Sequence, residues 1–265
     1  MRRISLMLIL ALASAAALAE VTGTIVTQNG DTRKGVLRWS NREKAYVMAT
    51  KNGVELEIKE SEVSELNVDK PAGYDAAVAA VASGKGASAI PALKKIVEDY
   101  KHLQWDKSAG RYLAEAYIAA SNADEAYKVC QAIIAGEPTA AYQGDLAPAY
   151  WAALLGQGKM PQLEKQLEKA MKSEDRFAMG SALIMRGDII RKTMVKDPNG
   201  GARKALLDGY LRVVFTFTDE VAPLVRPEAL YKAALCFEQL SMSGRADAMR
   251  RELKGVYPNS PWAAK

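Results

Sequence analysis

The residues that do most enzymatic chemistry are scarce in this chain. A single histidine, His102, stands in the whole sequence, within Lys101-His-Leu-Gln-Trp105. A Ser-His-Asp triad, a Cys-His pair and a multi-histidine metal site all need a partner for it that the sequence does not hold. No Ser-x-x-Lys motif occurs, so that route to an activated serine has no signature. Gly84-Lys85-Gly86 lacks the spacing of a phosphate cradle, which needs Gly-x-x-x-x-Gly-Lys-Ser/Thr. No two carboxylates stand apart from the general surface charge as a glycosidase pair would. The chain therefore reads as non-catalytic, with no cofactor and no metal expected. What remains is recognition: acidic, basic and aromatic side chains held in rows by the elements beneath them.

Those elements begin after a processing signal. Arg2-Arg3, an apolar run from Ile4 to Leu12, and Ala17-Leu18-Ala19 before Glu20 predict a cleaved leader over residues 1–19. No cysteine follows at once to carry a lipid anchor, and no later stretch is long and apolar enough to span a bilayer. The expected location is the periplasm or the exterior. Without Arg2 and Arg3 the formal charge falls from +5 to +3. A clustered basic face, the mark of nucleic-acid binding, is missing. Arg245, Arg250, Arg251 and Lys254 near the C-terminus read as a solvated helix face.

Residues 20–69 carry a strand period. Val21–Thr27, Lys34–Trp39, Ala45–Ala49, Val54–Ile58 and Val63–Val68 are short runs rich in β-branched and aromatic residues. Asn29-Gly30 and Asn52-Gly53 mark hairpin turns between them. Val54, Leu56 and Ile58 alternate with Glu55, Glu57 and Lys59, which predicts one buried and one wet face. Five strands in so short a span predict a small β-barrel of the SH3-like or Sm-like kind. The segment Gln28–Thr50 is similar to the first Sm motif, in which a Gly-containing turn precedes a strand with Gly and Leu. The second-motif position reads Glu62-Val-Ser-Glu-Leu66, without the Arg/Lys-Gly pair of RNA-binding Sm proteins, so RNA binding does not carry over.

Lys70-Pro71-Ala72-Gly73 marks a boundary, and residues 74–265 carry a helical period to the end. Landmarks recur at Ala77, Ala114, Trp151, Gly187 and Ala234, at intervals of 37, 37, 36 and 47 residues. The last forty residues read as a helix from Pro227, a turn at Ser243-Gly244 and a second helix ending near Tyr257-Pro258. Lys196–Gly201 reads as a loop by composition. The fold class is thus α+β and mainly α, the barrel followed by about five helix pairs.

The residues Leu230, Ala234, Phe237, Ala246 and Pro258, and likewise Leu113, Ala114, Tyr117, Ala126 and Pro138, resemble the tetratricopeptide repeat (TPR), a helix-turn-helix unit of about 34 residues. Small residues at the eighth and twentieth positions let two helices approach closely. Position 15 departs from the pattern in the last unit, with Ser241 in place of Gly. That register puts Cys130 and Cys236 five helices apart, too far for a disulfide, and both read as small buried hydrophobes. In TPR proteins ligands lie along the concave face lined by the first helices. Carried over residue by residue, that face implies Arg111 and Glu115, Asp188 and Arg191, and Glu228, Tyr231 and Glu238 as partner-binding residues. Leu206–Asp219 and the closing Tyr257–Ala263 also resemble repeat ends of periplasmic TPR adaptors from Gram-negative envelopes. The resemblance implies a non-catalytic scaffold with a protein partner. The rival expectation is a cell-wall or polymer binder in which the barrel recognises, through Trp39 and Tyr46, and the repeats act as spacer.

Overall fold

A computed structural model of the chain describes residues 20–50 and 53–265. The expected leader, and Lys51-Asn52 of the second hairpin, lie outside the described residues. The chain divides into two compact units at Asp69/Lys70, where the strand period of residues 20–69 ends.

The first unit is a five-stranded antiparallel sheet in the order β4-β3-β2-β1-β5. Its strands are β1 (Val21–Thr27), β2 (Thr32–Ser40), β3 (Ala45–Ala49), β4 (Glu55–Lys59) and β5 (Val63–Val68). β1 alternates as the period-two pattern requires, burying Val21 and Ile25. Leu37, Met48 and Ile58 join them. Val54 departs from the expected alternation. It is 54% exposed because it precedes β4 and serves the turn, its carbonyl accepting from the Thr50 amide at 3.0 Å.

The second unit is helical, and its helices come in consecutive packed pairs. They are α1 (Tyr74–Ala82) with α2 (Gly86–Asp99), α3 (Trp105–Ala119) with α4 (Ala123–Gly136), and α5 (Ala147–Gly156) with α6 (Met160–Lys172). α7 (Arg176–Thr193) packs on α8 (Pro198–Ala205), and α10 (Ala222–Gln239) on α11 (Ser243–Val256). A π-helical turn, Leu206–Tyr210, joins α8 to α9 (Leu211–Thr216). First helices also touch in sequence: α1 packs on α3, α3 on α5, α5 on α7 and α7 on α10. Every landmark residue, from Ala77 to Ala234, is buried on one of them. No helix among the described residues is long and apolar enough to cross a membrane.

The same turn closes four of the five pairs. Seven residues after the landmark, Gly84, Ser121, Gly158 and Ser241 adopt positive φ of 77, 59, 70 and 57°. The amide that follows each donates five residues back: Lys85 to Ala80, Asn122 to Tyr117, Lys159 to Leu154 and Met242 to Phe237, all within 2.8–2.9 Å. This is a Schellman closure, which satisfies carbonyls at a helix end and reverses the chain. The next helix starts two residues on each time. Ser241 thus keeps the geometry that glycine supplies elsewhere, at a steric cost. Ser121→Gly and Ser241→Gly are each expected to stabilise by about 0.5–1 kcal/mol, the relief of the left-handed clash less the added freedom of the unfolded chain. Urea unfolding measures this, and no gain over Ser121→Ala would deny the strain.

Three boundaries differ from the sequence expectation. The turn of the last pair sits at Ser241-Met242, and Ser243 already opens α11. α10 starts at Ala222, so Pro227 is its sixth residue and leaves the Pro223 carbonyl without its i+4 amide donor. Residues 198–201 are helix rather than loop: the Asp197 carboxylate accepts from the Gly200 amide at 2.9 Å and Pro198 takes the first turn. From there the buried positions run Gly201-Ala202, Ala205-Leu206, Gly209-Tyr210 and Val213-Val214, a strict period of four. An α-helix of 3.6 residues per turn would rotate that row off the core. The wider π turn restores it.

Candidate functional site

The sequence-derived residues fall into two separate sets. On α3, Arg111 and Glu115 are one helical turn apart and pair at 2.9 Å. Arg111 also reaches Asp145 at 2.8 Å, before α5, and its guanidinium lies 4.4 Å over the Tyr112 ring. Tyr112 and Trp105 stand edge-on to Tyr74, at 6.2 and 5.0 Å, and the Tyr74 hydroxyl shares a hydrogen bond with Ser108. Burial works against the Arg111 charge, but Glu115 and Asp145 outweigh it and hold the guanidinium above its ordinary value.

The second set joins α7 to α10. Asp188 accepts from the Tyr210 hydroxyl at 2.7 Å and from the Lys232 ammonium at 2.6 Å. Lys232 also pairs with Glu228 at 2.6 Å, one turn earlier on α10. Arg191 donates to the Gln239 side-chain oxygen at 3.2 Å and to Cys236 Sγ at 3.6 Å. Asp188, Arg191 and Glu228 therefore share one polar seam between first helices. Burial depresses Lys232, but Glu228 and Asp188 more than offset it and its pKa is raised. Burial beside Asp188 pushes the Tyr210 phenol far up, so it remains a hydrogen-bond donor. Sequence reasoning missed Lys232 and Tyr210. The Glu228–Lys232 spacing was a visible signal, but the partner on α7 was not.

Two residues stand elsewhere. Glu238 engages α11, taking two hydrogen bonds from Arg250 at 2.9 and 2.6 Å. Tyr231 lies under the C-terminal segment: its ring is 5.4 Å from Trp262, and the Lys265 ammonium sits 3.8 Å over the Trp262 ring. Tyr231 is thus half-buried and packed against Trp262. The two thiols, Cys130 and Cys236, are free and fully buried, with burial pushing Cys130 up to about 12.

In the sheet unit, Tyr46 is buried and Trp39 meets it edge-on at 5.0 Å, so the pair offers no double aromatic platform. A polar cleft of about 390 Å³ opens there, lined by Gln28, Asp31, Arg33, Glu57 and Glu62 among others. No family model, curated protein or solved structure matches the chain. The carboxylates of both sets thus already hold cations, within α3 and between α7 and α10.

Proposed function

We propose that the chain is a secreted or periplasmic, non-catalytic adaptor that holds a protein partner along the row of its first helices. In this reading residues 74–265 form a TPR-like solenoid and residues 20–69 a small SH3-like or Sm-like barrel. The observation that carries it is the fourfold recurrence of one left-handed turn at one place in the repeat, with each first helix packed on the next. Stacking of that kind lines up one face over a long distance, which is what repeat proteins use for binding. Gly23 opposite Gly35 supports the barrel, since a Cβ at Gly23 would come 2.7 Å from the Asn67 carbonyl on β5 and one at Gly35 would come 2.4 Å from the Ala49 carbonyl on β3. Backbones that close belong to a tightly curved sheet.

Arg111 and Glu115 are the residues to test, because removing both leaves no buried charge without its partner. Arg111→Ala with Glu115→Ala is expected to weaken a partner captured from the envelope by about 2 kcal/mol, with the helical circular dichroism intact. Unchanged affinity would move the function to the sheet unit. The cell-wall reading draws on the polar cleft and on Trp39, and it makes the opposite prediction. Sedimentation with murein sacculi would then be lost in Trp39→Ala and kept in the Arg111/Glu115 variant.

A further inference from the structure

The period of four that places the buried rows of α8, the π turn and α9 also builds an outer face. Arg203, Leu207, Leu211 and Phe215 form one row, and Lys204, Asp208, Arg212 and Thr216 the row beside it. Leu207 is 68% and Phe215 71% exposed, and Leu211 is half-buried. Isolated exposed apolar residues are ordinary, but a line of them at fixed spacing is a surface. The flanking row is exposed or half-exposed along its length, so no wall rises there to make a groove. On this face Leu207 and Phe215 stand largely in solvent, while Leu211 packs partly against the core beneath. Lys204 is neutralised by Asp208 at 2.6 Å, whereas Arg203 and Arg212 have no ion-pair partner among the described residues.

Projecting leucine and phenylalanine flanked by uncompensated arginines is the chemistry of a helix that lies in a membrane interface. We propose that this face docks peripherally on an anionic lipid surface. Leu207 and Phe215 enter the boundary between headgroups and acyl chains, while Arg203 and Arg212 meet lipid phosphates. Leu207 and Phe215 are eight residues apart, or about 12 Å along a helix, so both can enter a flat surface together. The inference does not depend on the adaptor reading, because it uses the outward side of a second helix rather than the first-helix row.

The test is sedimentation of the mature full-length chain with phosphatidylglycerol-containing vesicles and with pure phosphatidylcholine vesicles. Binding is expected to the anionic vesicles alone and to weaken with salt. Leu207→Ser with Phe215→Ser should lower the partition about tenfold or more, since the inserted apolar surface is lost. Arg203→Gln with Arg212→Gln should weaken it comparably and flatten its salt dependence. All four side chains are partly or largely in water, so thermal midpoints should match the parent and keep both variants informative. Failure of the parent to bind, or binding by both variants equal to the parent's, overturns the proposal. So does a lipid-free dimer that Phe215→Ser dissolves, which would assign the face to a second copy of the chain.

Discussion

Gly209→Ala is expected to destabilise the helical unit by about 2–3 kcal/mol, near the upper end of ordinary overpacking. A Cβ at Gly209 would come 2.9 Å from the Gly187 nitrogen and α-carbon and from the Leu183 carbonyl oxygen. These are backbone atoms of α7, so no rotamer change relieves the clash. Gly187 is packed by the same turn, because a Cβ there would strike the Tyr210 ring at 2.5 Å. At this pair the backbones of α7 and the π turn meet closely, beside the hydrogen bond from the Tyr210 hydroxyl to Asp188. The melting midpoint should fall by roughly 4–10 °C. Gly255→Ala, with nothing within 4 Å, is the control and should be neutral or slightly stabilising. Equal midpoints for the two variants would mean that α7 and the π turn do not touch.

Lys232→Met is expected to have an effect of similar size, about 2–3 kcal/mol, for an electrostatic reason. Lys232 is 19% exposed and is the cation between Asp188 and Glu228. Its loss leaves two largely shielded carboxylates facing one another, and breaking a buried pair from one side is strongly destabilising. Adding Asp188→Asn and Glu228→Gln should recover much of the loss, because the uncompensated charges go with the cation. The pH dependence has a definite sign. A lysine whose folded pKa is raised contributes its full stability below the ordinary lysine value of about 10.4 and loses it as pH climbs through the folded value. The gap between parent and Lys232→Met should therefore stay constant from neutral to mildly alkaline pH and close above that. A gap that instead grew with alkaline pH would contradict the pairing.

Much of this architecture is legible in the chain because it is local. β-Branched runs punctuated by Asn29-Gly30 specify strands, and the small or glycine landmarks at Ala77, Ala114, Gly187 and Ala234 specify where helices meet. Trp151 also lands on the first-helix register, although its size does not announce it. Ser241 shows a limit of another kind, since the residue type departs from glycine while the backbone does not. Pro198 misleads for a comparable reason: Asp-Pro-Asn-Gly-Gly is a loop by composition, but a carboxylate before a proline is also a helix start. The site was less legible than the fold. Glu228 and Lys232 are neighbours by helical spacing, yet Asp188 reaches Lys232 only once α7 and α10 are stacked. The contact of Tyr231 with Trp262 was equally hidden, because nothing in the helix of Tyr231 foretells the C-terminal segment returning to it.

α7 contributes buried side chains to two interiors. Its Ala178, Ala182 and Met185 belong to the hydrophobic cluster of α1–α6, while Leu183, Ile184 and Ile190 belong to the cluster of α8–α11. The two interiors are thus two bodies of apolar side chains whose shared wall is α7, with Met171 of α6 packed against both. A strain in the early helices reaches the late ones by way of that wall, through the rotation or translation of a single rod. The wall also carries Asp188 and Arg191, so the polar seam sits where the two halves are coupled. Whatever loads that seam acts on the cooperativity of the whole helical unit, and the two halves melt together only as far as α7 holds.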